Sequence, residues 1–402
     1  MLFFKECKKI ICSLTFLLYV VVIALMYGTQ YGSALQAPKE LPQPGQEWYG
    51  TKYEETEEII VPAAVEQLIN EYMKGDYKAY PFGLYKQVKL KEKDSARVAA
   101  IIEELTDLTR QEMDSFEDYA MGGYFASVDE NGKESIVYRP PVLPEYELKD
   151  VSYEHFKELM EQADEIIGGG SDYEVDTLIS NFSGVPMTYE DAVKSYEILM
   201  ADNNLTEGYL RLFCDYFGID LAILPVFVCV SLWQQDKKNR MEALIQSREI
   251  SSVKLLLTRY LALLACMMIP VLAMGLHAVS SIRGLYPELN LFFGSAIGMS
   301  ALWLIPELMV VIALGALLTE VVSPLIAIFV QGAWWYMALE MKALTGDITK
   351  YALILRHNSL GDAALFQSQY DSCVWNRCFY FIVSVVLFAV TAFCYERKRK
   401  GK

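Results

Sequence analysis

Apolar residues concentrate in six long runs along the chain, and polar residues fill the stretches between them. A bilayer core takes about 20 mostly apolar residues as a helix, so each run is a candidate membrane span. The runs cover residues 10–27, 217–233, 255–279, 291–317, 321–339 and 378–395. Only a short turn at Ser323 and Pro324 separates the fourth run from the fifth, and one merged helix would be far longer than a bilayer is thick. The pattern therefore predicts six spans, with a hairpin between spans four and five.

Lysine and arginine concentrate in three short segments that flank these runs. The segments are Lys5, Lys8 and Lys9 before span one; Lys237, Lys238, Arg240, Arg248, Lys254 and Arg259 between spans two and three; and Arg397, Lys398, Arg399, Lys400 and Lys402 after span six. Six spans bring all three segments to the same side, and cytoplasmic loops are the ones rich in these residues. We therefore expect a multi-pass protein of the cell membrane with both termini in the cytoplasm.

The first run has a second interpretation, as a cleaved signal peptide. Its basic start and the small residues of the segment Gly-Ser-Ala-Leu-Gln-Ala at 32–37 fit that interpretation loosely. The apolar run is long for a signal peptide, however, and its removal would leave five spans with the same charge pattern. We favour a retained anchor.

The longest polar stretch separates the first two spans and would lie outside the cell. The net charge of the chain is −16, but residues 28–215 hold 38 acidic against 16 basic residues, while the rest holds 13 against 19. An acidic, water-soluble block is thus inserted into a basic, apolar frame. This excludes a single soluble globule, and it excludes a nucleic-acid binder, which needs a basic face. We divide the chain into residues 1–35 (N-terminus and first span), 36–212 (acidic extracellular domain with its stem) and 213–402 (five-helix membrane domain).

Helical patterns dominate the extracellular block. A Pro-, Glu- and Gln-rich segment, 37–61, reads as an extended stem, and apolar residues then recur on one helix face over 95–119. Ser152 can cap a helix that Gly168 ends, and Thr188 can begin another helix in a capping-box pattern. A further helix from Thr206 could continue into span two. Segments 124–128 and 135–139 predict one hairpin. The expected fold class is an all-α polytopic membrane protein with six transmembrane helices and a mainly helical extracellular domain that contains a minor β-hairpin.

The chain lacks the usual motifs of catalysis. It has no phosphate-binding Gly-x-x-x-x-Gly-Lys-Ser/Thr loop, no His-Glu-x-x-His, no Gly-x-Ser-x-Gly and no protein-kinase signature. Its three histidines, His155, His277 and His357, are far apart in sequence, which argues against a histidine-rich metal site. The many acids could bind a metal or a cationic peptide, but none falls at calcium-loop spacing, which favours a solvated surface. We expect neither an enzyme nor a chain that binds a cofactor of its own.

Two further features carry open alternatives. A Cys373–Cys378 bridge is conceivable, although free, partly buried thiols fit the scattered cysteines better. Glu307 lies in the middle of span four, directly after Pro306, where an ionisable group is costly. It could line a path through the membrane or join two halves of an assembly, or it could relieve the kink at Pro306. Asp220, near the outer end of span two, reads as an interfacial residue.

The basic loop between spans two and three, residues 234–254, predicts a short amphipathic helix at the membrane surface. It reads Gln-Gln-Asp-Lys-Lys-Asn-Arg-Met-Glu-Ala-Leu-Ile-Gln-Ser-Arg-Glu-Ile-Ser-Ser-Val-Lys. Its residues of interest are Arg240, Met241, Glu242, Leu244, Ile245, Ser247, Arg248, Ile250 and Ser251. This loop, the six spans, the large outer domain and a long outer segment at 340–377 together resemble the permease subunits of ABC transporters, in the type-2 exporter family.

The resemblance implies a function without catalysis in this chain. The 234–254 loop would be a coupling helix that docks on a separate ATP-binding subunit, which would hold ATP and Mg²⁺. Two permease copies, or one copy and a related permease, would form the path through the bilayer for an unknown export substrate, such as a peptide, a lipid or a drug. Two alternatives remain open. The chain could be a receptor or assembly protein whose outer domain binds a ligand, or a membrane enzyme with an unrecognised outer active site.

Overall fold

The computed structural model of the chain describes residues 2–80, 85–120, 123–128, 134–201, 204–239, 250–287, 293–339, 351–357, 359–361 and 363–400. These residues form two compact units. The acidic unit comprises residues 44–192, and the membrane unit comprises residues 1–43 and 193–402. The domain boundaries drawn from the sequence at 36 and 213 concern the membrane topology and remain predictions.

The described part of the chain is mostly α-helical. The helices are α1 (Leu2–Ile11), α2 (Leu14–Met26), α3 (Glu57–Lys74), α4 (Glu92–Leu105), α5 (Arg110–Ser115), α6 (Tyr153–Ile167), α7 (Leu178–Phe182), α8 (Tyr189–Met200), α9 (Asn204–Leu221), α10 (Leu224–Lys238), α11 (Ser252–Leu285), α12 (Phe293–Val321), α13 (Pro324–Ala338) and α14 (Ala363–Arg399). The strands are β1 (Thr51–Tyr53), β2 (Tyr77–Ala79), β3 (Lys86–Val88), β4 (Gly123–Val128), β5 (Glu134–Arg139) and β6 (Gly184–Pro186).

The acidic unit has its own apolar core, formed mainly by α3, α4, α6 and α7. The helix predicted from Ser152 is confirmed as α6, because the Ser152 side chain accepts a hydrogen bond from the His155 amide and Gly168 ends the helix with positive φ. Thr188 and Asp191 exchange the two predicted capping hydrogen bonds at the start of α8. These local signals were readable because each depends on residues only three positions apart.

Two local predictions in the acidic unit need correction. The helix expected over 95–119 is broken into α4 and α5: Thr106 turns its hydroxyl back to the Ile102 carbonyl, and Thr109 starts α5 with a capping box. The stem expected to stay extended to Val61 instead enters α3 at Glu57. Acidic residues favour the first turn of a helix, so a cluster of glutamates there suits α3 better than a stem.

Three antiparallel strand pairs complete the acidic unit as described: β1 with β6, β2 with β3, and β4 with β5. The last pair is the predicted hairpin, in which Tyr124 lies opposite Tyr138. The sequence predicts its turn at residues 129–132, which lie outside the described residues.

The membrane unit contains four helical segments long and apolar enough to cross a bilayer: residues 14–35, α11, residues 294–321 of α12, and α14. Residues 204–221 and 224–235 form a further candidate span that is bent by 42°. The bend coincides with Pro225, which cannot donate a helical hydrogen bond and clashes with the preceding turn. Helix α9 therefore continues toward the predicted second span, as expected from Thr206, but does so through a break.

The count of six spans is not confirmed. The fifth predicted span corresponds to α13, whose 15 residues are about 22 Å long against a hydrocarbon core of about 30 Å. The first span starts at Leu14 rather than Ile10, because Ser13 caps α2 and separates it from α1. Helix α14 begins 15 residues earlier than the apolar run at 378.

All eight cysteines are free thiols. Cys373 is buried and Cys378 is exposed, and both lie within α14. Five residues on a helix place two side chains on different faces, so the conceivable bridge between them does not form.

Candidate functional site

Most of the loop that resembles a coupling helix lies outside the described residues. Arg240, Met241, Glu242, Leu244, Ile245, Ser247 and Arg248 are in that part, so their positions stay predictions. Ile250 and Ser251 are described. The Ser251 side chain accepts a hydrogen bond from the Lys254 amide and caps α11, as its sequence position predicts.

The residues directly after this loop meet both ends of the chain in one place, which we call the basic end. Glu6 of α1 pairs with Arg259 of α11, at 3.5 Å between Oε2 and Nε. The Ser252 hydroxyl donates to the Glu396 carboxylate of α14. Arg399 Nη1 donates to the Ile250 carbonyl at 2.6 Å. The described residues at the start of α11 therefore adjoin both α1 and the end of α14 in the membrane unit.

A second polar region surrounds a non-helical segment that we call the buried loop, residues 351–357 and 359–361. Leu353, Ile354 and Leu355 are almost completely inaccessible to solvent, as are Arg356 and His357. Non-helical backbone inside a helix bundle needs hydrogen-bond partners, since each unpaired amide or carbonyl costs several kcal/mol in hydrocarbon. The neighbouring helices supply these partners.

One face of α14 provides donors to three successive carbonyl groups of the buried loop. Tyr380 Oη donates to the carbonyl of Tyr351 at 2.6 Å. Asn376 Nδ2 donates to that of Ala352 at 2.8 Å, and Arg377 Nη1 to that of Leu353 at 3.3 Å. Residues three and four apart lie next to each other on a helix surface, so Tyr380 adjoins both Asn376 and Arg377, and the three donors reach three consecutive carbonyl groups.

Helix α9 holds the other half of the buried loop. The Asp215 carboxylate accepts hydrogen bonds from the amide of His357, at 2.9 and 3.0 Å, and pairs with Arg356 Nε at 3.6 Å. Arg211 Nη2 donates to the Gly361 carbonyl at 2.8 Å, and its guanidinium lies over the ring of Phe366. The loop is thus held by the Asp215 carboxylate, which pairs with Arg356, and by the Arg211 guanidinium, which donates to a loop carbonyl.

Gly208 explains how the buried loop comes so close to α9. A Cβ atom at this position would lie only 2.2 Å from the Leu360 carbonyl oxygen, which real contacts do not allow. The missing side chain therefore lets the loop backbone pack directly on the helix.

Glu307, singled out from the sequence, lies next to this region. Its carboxylate pairs with Arg377 Nη1 at 3.2 Å, and both side chains are at most 1 % exposed. Neither carboxylate oxygen accepts a well-aligned hydrogen bond from the described residues, so the ion pair supplies its polar compensation. Glu307 therefore links α12 to α14 and, through Arg377, to the buried loop.

Side chains of α13 stabilise the break between α9 and α10. Gln331 Nε2 of α13 donates to the Ala222 carbonyl at 2.6 Å, and Trp335 Nε1 donates to the Ile219 carbonyl at 3.0 Å. These donors, one helical turn apart, replace bonds that the break removes. Asp220, expected to be interfacial, is buried at the same break, with 7 % of its surface exposed.

At the basic end and around the buried loop, the polar side chains form ion pairs and hydrogen bonds to backbone groups. In the residues that the structure describes, no group of three or more His, Cys, Asp or Glu side chains could hold a metal ion. The charged side chains named above contact carbonyls, amides and one another. Such an arrangement can hold a non-helical segment within the bundle and connect it to the helices that surround it.

Sequence reasoning found Glu307 but missed its partners. Arg211, Asp215, Arg356 and Arg377 lie 24 to 150 residues in sequence from the groups that they bind by hydrogen bonds or ion pairs, so no local pattern pairs them. A usable signal was present: polar and charged residues directly precede two apolar runs, at 211–215 and 376–377. Comparison with protein-family models, with curated proteins and with solved structures finds no match to this chain.

Proposed function

We propose that this chain is the permease subunit of an ATP-driven exporter. In this proposal α13 acts as a short fifth span, which brings the number of spans to six; both termini are cytoplasmic, and the acidic unit lies outside the cell. A separate subunit would bind and hydrolyse ATP and would dock on the 234–254 loop. Two permeases would form the path along which a peptide, a lipid or a drug-like molecule moves outward.

The observation that carries the proposal is the basic end. Contacts among α1, the start of α11 and the end of α14 bring the N-terminal helix, the exit of the 234–254 loop and the C-terminal tail together. Lysine and arginine gathered at one end of a membrane bundle favour the cytoplasmic side. A cytoplasmic partner that binds the loop would therefore lie beside the ends of three helices, and a displacement of the loop would be transmitted directly to those helices.

The acidic unit supports a role in recognition outside the bilayer. It is compact, with a core of its own, and the excess of acidic residues keeps such a unit soluble. Cargo collection or gating by this unit would give the exporter its specificity.

The test is purification of the tagged, full-length chain from its native membranes in a mild detergent. We expect an ATP-binding subunit to co-purify, and we expect Arg240→Glu together with Arg248→Glu to abolish this association. Arg283→Glu, a charge reversal at the end of α11 remote from that loop in sequence, is the matched control and should leave it intact. An ATP-binding subunit that still co-purifies with the double variant would remove the coupling role from the loop.

A further inference from the structure

Helix α14 differs from the other candidate spans in having neither glycine nor proline. Helix α11 contains Pro270, α12 contains Pro306, and the α9–α10 pair is broken at Pro225. Glycine and proline are the usual origins of kinks in long helices. The 37 residues of α14 therefore form a continuous rod about 55 Å long.

One end of this rod is fastened to the exit of the 234–254 loop. Arg399 Nη1 donates to the carbonyl of Ile250 at 2.6 Å and to the hydroxyl of Ser252 at 3.4 Å. Glu396, one turn earlier, accepts a hydrogen bond from the same Ser252. Lys398 also pairs with Glu320 of α12, at 3.0 Å. Glu396 and Arg399 of α14 thus form hydrogen bonds with residues 250 and 252, where α11 begins.

The middle of this helix is hydrogen-bonded to the buried loop. Asn376, Arg377 and Tyr380 donate to the carbonyls of residues 351–353, as described above. Twenty residues separate Asn376 from Glu396, which corresponds to about 30 Å along the helix. Both sets of contacts are hydrogen bonds to specific atoms outside α14. A shift of α14 along its axis therefore has to break both sets or displace the groups that they bind.

We propose that Glu396 and Arg399 are positioning residues that couple the exit of the 234–254 loop to the buried loop through α14. A displacement of residues 250–252 pulls the end of α14, and the unbroken helix carries the displacement to the carbonyls of residues 351–353. The role in transport rests on the proposed function, in which the ATP-binding subunit supplies the displacement. The mechanical link itself belongs to this chain alone.

The link is testable without any partner, by hydrogen exchange of the buried loop in the purified full-length protein. Arg399→Gln removes charge-assisted hydrogen bonds, and we expect it to raise exchange of residues 351–357 by about tenfold. Arg397→Gln removes the same charge two residues away, where the side chain is exposed and lies over Phe393 of its own helix. This control should change the exchange by less than about twofold. Arg399→Lys should restore most of the protection.

A double-mutant cycle separates coupling from general loosening. Independent sites so far apart act additively in free energy, so their effects on exchange multiply. We expect Arg399→Gln combined with Asn376→Ala to raise exchange by clearly less than the product of the two single effects. Exchange of the middle of α11, which belongs to the same membrane unit, reports that the variants are folded.

Three results would overturn the proposal: unchanged exchange of residues 351–357 in Arg399→Gln, an equal effect of Arg397→Gln, or strict multiplication in the cycle. None of them depends on an ATP-binding subunit. A result that contradicts the exporter proposal would therefore not contradict the link through α14. A result that contradicts the link would not contradict the exporter proposal.

Discussion

Glu307 of α12 and Arg377 of α14 form an ion pair, 3.2 Å between Oε2 and Nη1, that is closed off from solvent on both sides. The same guanidinium donates to the Leu353 carbonyl, so one arginine joins two helices and the buried loop. A buried charge that lacks an oppositely charged partner lowers the stability of the fold strongly, so each member of this pair compensates the other.

Removal of either member of this pair is expected to destabilise the protein strongly. Glu307→Gln or Arg377→Gln leaves one uncompensated buried charge, which costs about 3–5 kcal/mol. The double variant removes both charges and should be more stable than either single one. Thermal unfolding of the purified protein measures this order. Glu154→Gln, which breaks an exposed pair with Lys157, is the control and should cost at most about 1 kcal/mol. Equal loss in the Glu307 and Glu154 variants would contradict the account.

Gly208→Ala is expected to displace the buried loop. The added Cβ would meet the Leu360 carbonyl at 2.2 Å, and overpacking of this kind costs roughly 1–3 kcal/mol. Gly298→Ala adds the same methyl group within α12, where nothing lies within 4 Å of the new atom. This control should be neutral or stabilising, since alanine favours a helix by about 1 kcal/mol over glycine. Thermal unfolding of the two variants should differ in sign; similar behaviour would mean that the loop does not pack on α9.

The acidic unit is expected to lose stability as the pH rises toward and through neutrality, because of one buried carboxyl group. Glu71 of α3 is 4 % exposed, and burial raises its pKa to about 7, although a hydrogen bond from the Tyr173 hydroxyl at 2.8 Å opposes the rise. A carboxyl group whose pKa is higher in the folded than in the unfolded state stabilises the fold at low pH. That contribution decreases as the pH rises from the unfolded value through 7, by roughly 3 kcal/mol in all.

Hydrogen exchange of α3, corrected for the intrinsic effect of pH, measures this change in the full-length protein. We expect lower protection at pH 8 than at pH 6, and we expect Glu71→Gln to flatten the profile. Glu66→Gln changes an exposed glutamate of the same helix and should leave the profile as it is. A flat profile in the unmodified protein would refute the assignment to Glu71.

The proposed orientation of the chain predicts which surfaces react from outside the cell. Glu161 is exposed on α6, whereas its neighbour Met160 is fully buried, so Glu161→Cys is the informative position. With the exposed Cys12 and Cys378 replaced by serine, Glu161→Cys should react with a membrane-impermeant maleimide in intact cells. Arg240→Cys should react only after permeabilisation. The reverse pattern would invert the topology.

Local signals made part of this architecture predictable. Caps such as Ser152 and Gly168 depend on backbone groups within one turn, and apolar runs mark helices whatever their partners are. The start of α14 was missed, because polar residues such as Gln367 and Asp371 lower the hydropathy of a helix that extends well beyond its apolar run. Pro225 marks a place where a helix can bend, but its sequence position does not show what stabilises the bend. Its donors, Gln331 and Trp335, come from a helix more than 100 residues away.

The side-chain contacts that hold the buried loop could not be predicted from the sequence either, because their partners are far apart along the chain. Asp215 and Arg356, or Arg211 and Gly361, are brought together only by the packing of whole helices. Glu307 was visible as a costly group within an apolar run, but its partner could have been any of several basic residues. Tertiary pairing of charges therefore had to come from the structure.

The central claim is that the 234–254 loop docks on an ATP-binding subunit, and site-specific photo-crosslinking in native membranes tests it most directly. A photoreactive residue at position 244 should give one adduct, and mass spectrometry should identify in it a protein with a phosphate-binding Gly-x-x-x-x-Gly-Lys-Ser/Thr loop. The same group at position 161, in the acidic unit, should not give that adduct. An adduct from position 244 that lacks any nucleotide-binding protein, or the absence of an adduct there, would contradict the account.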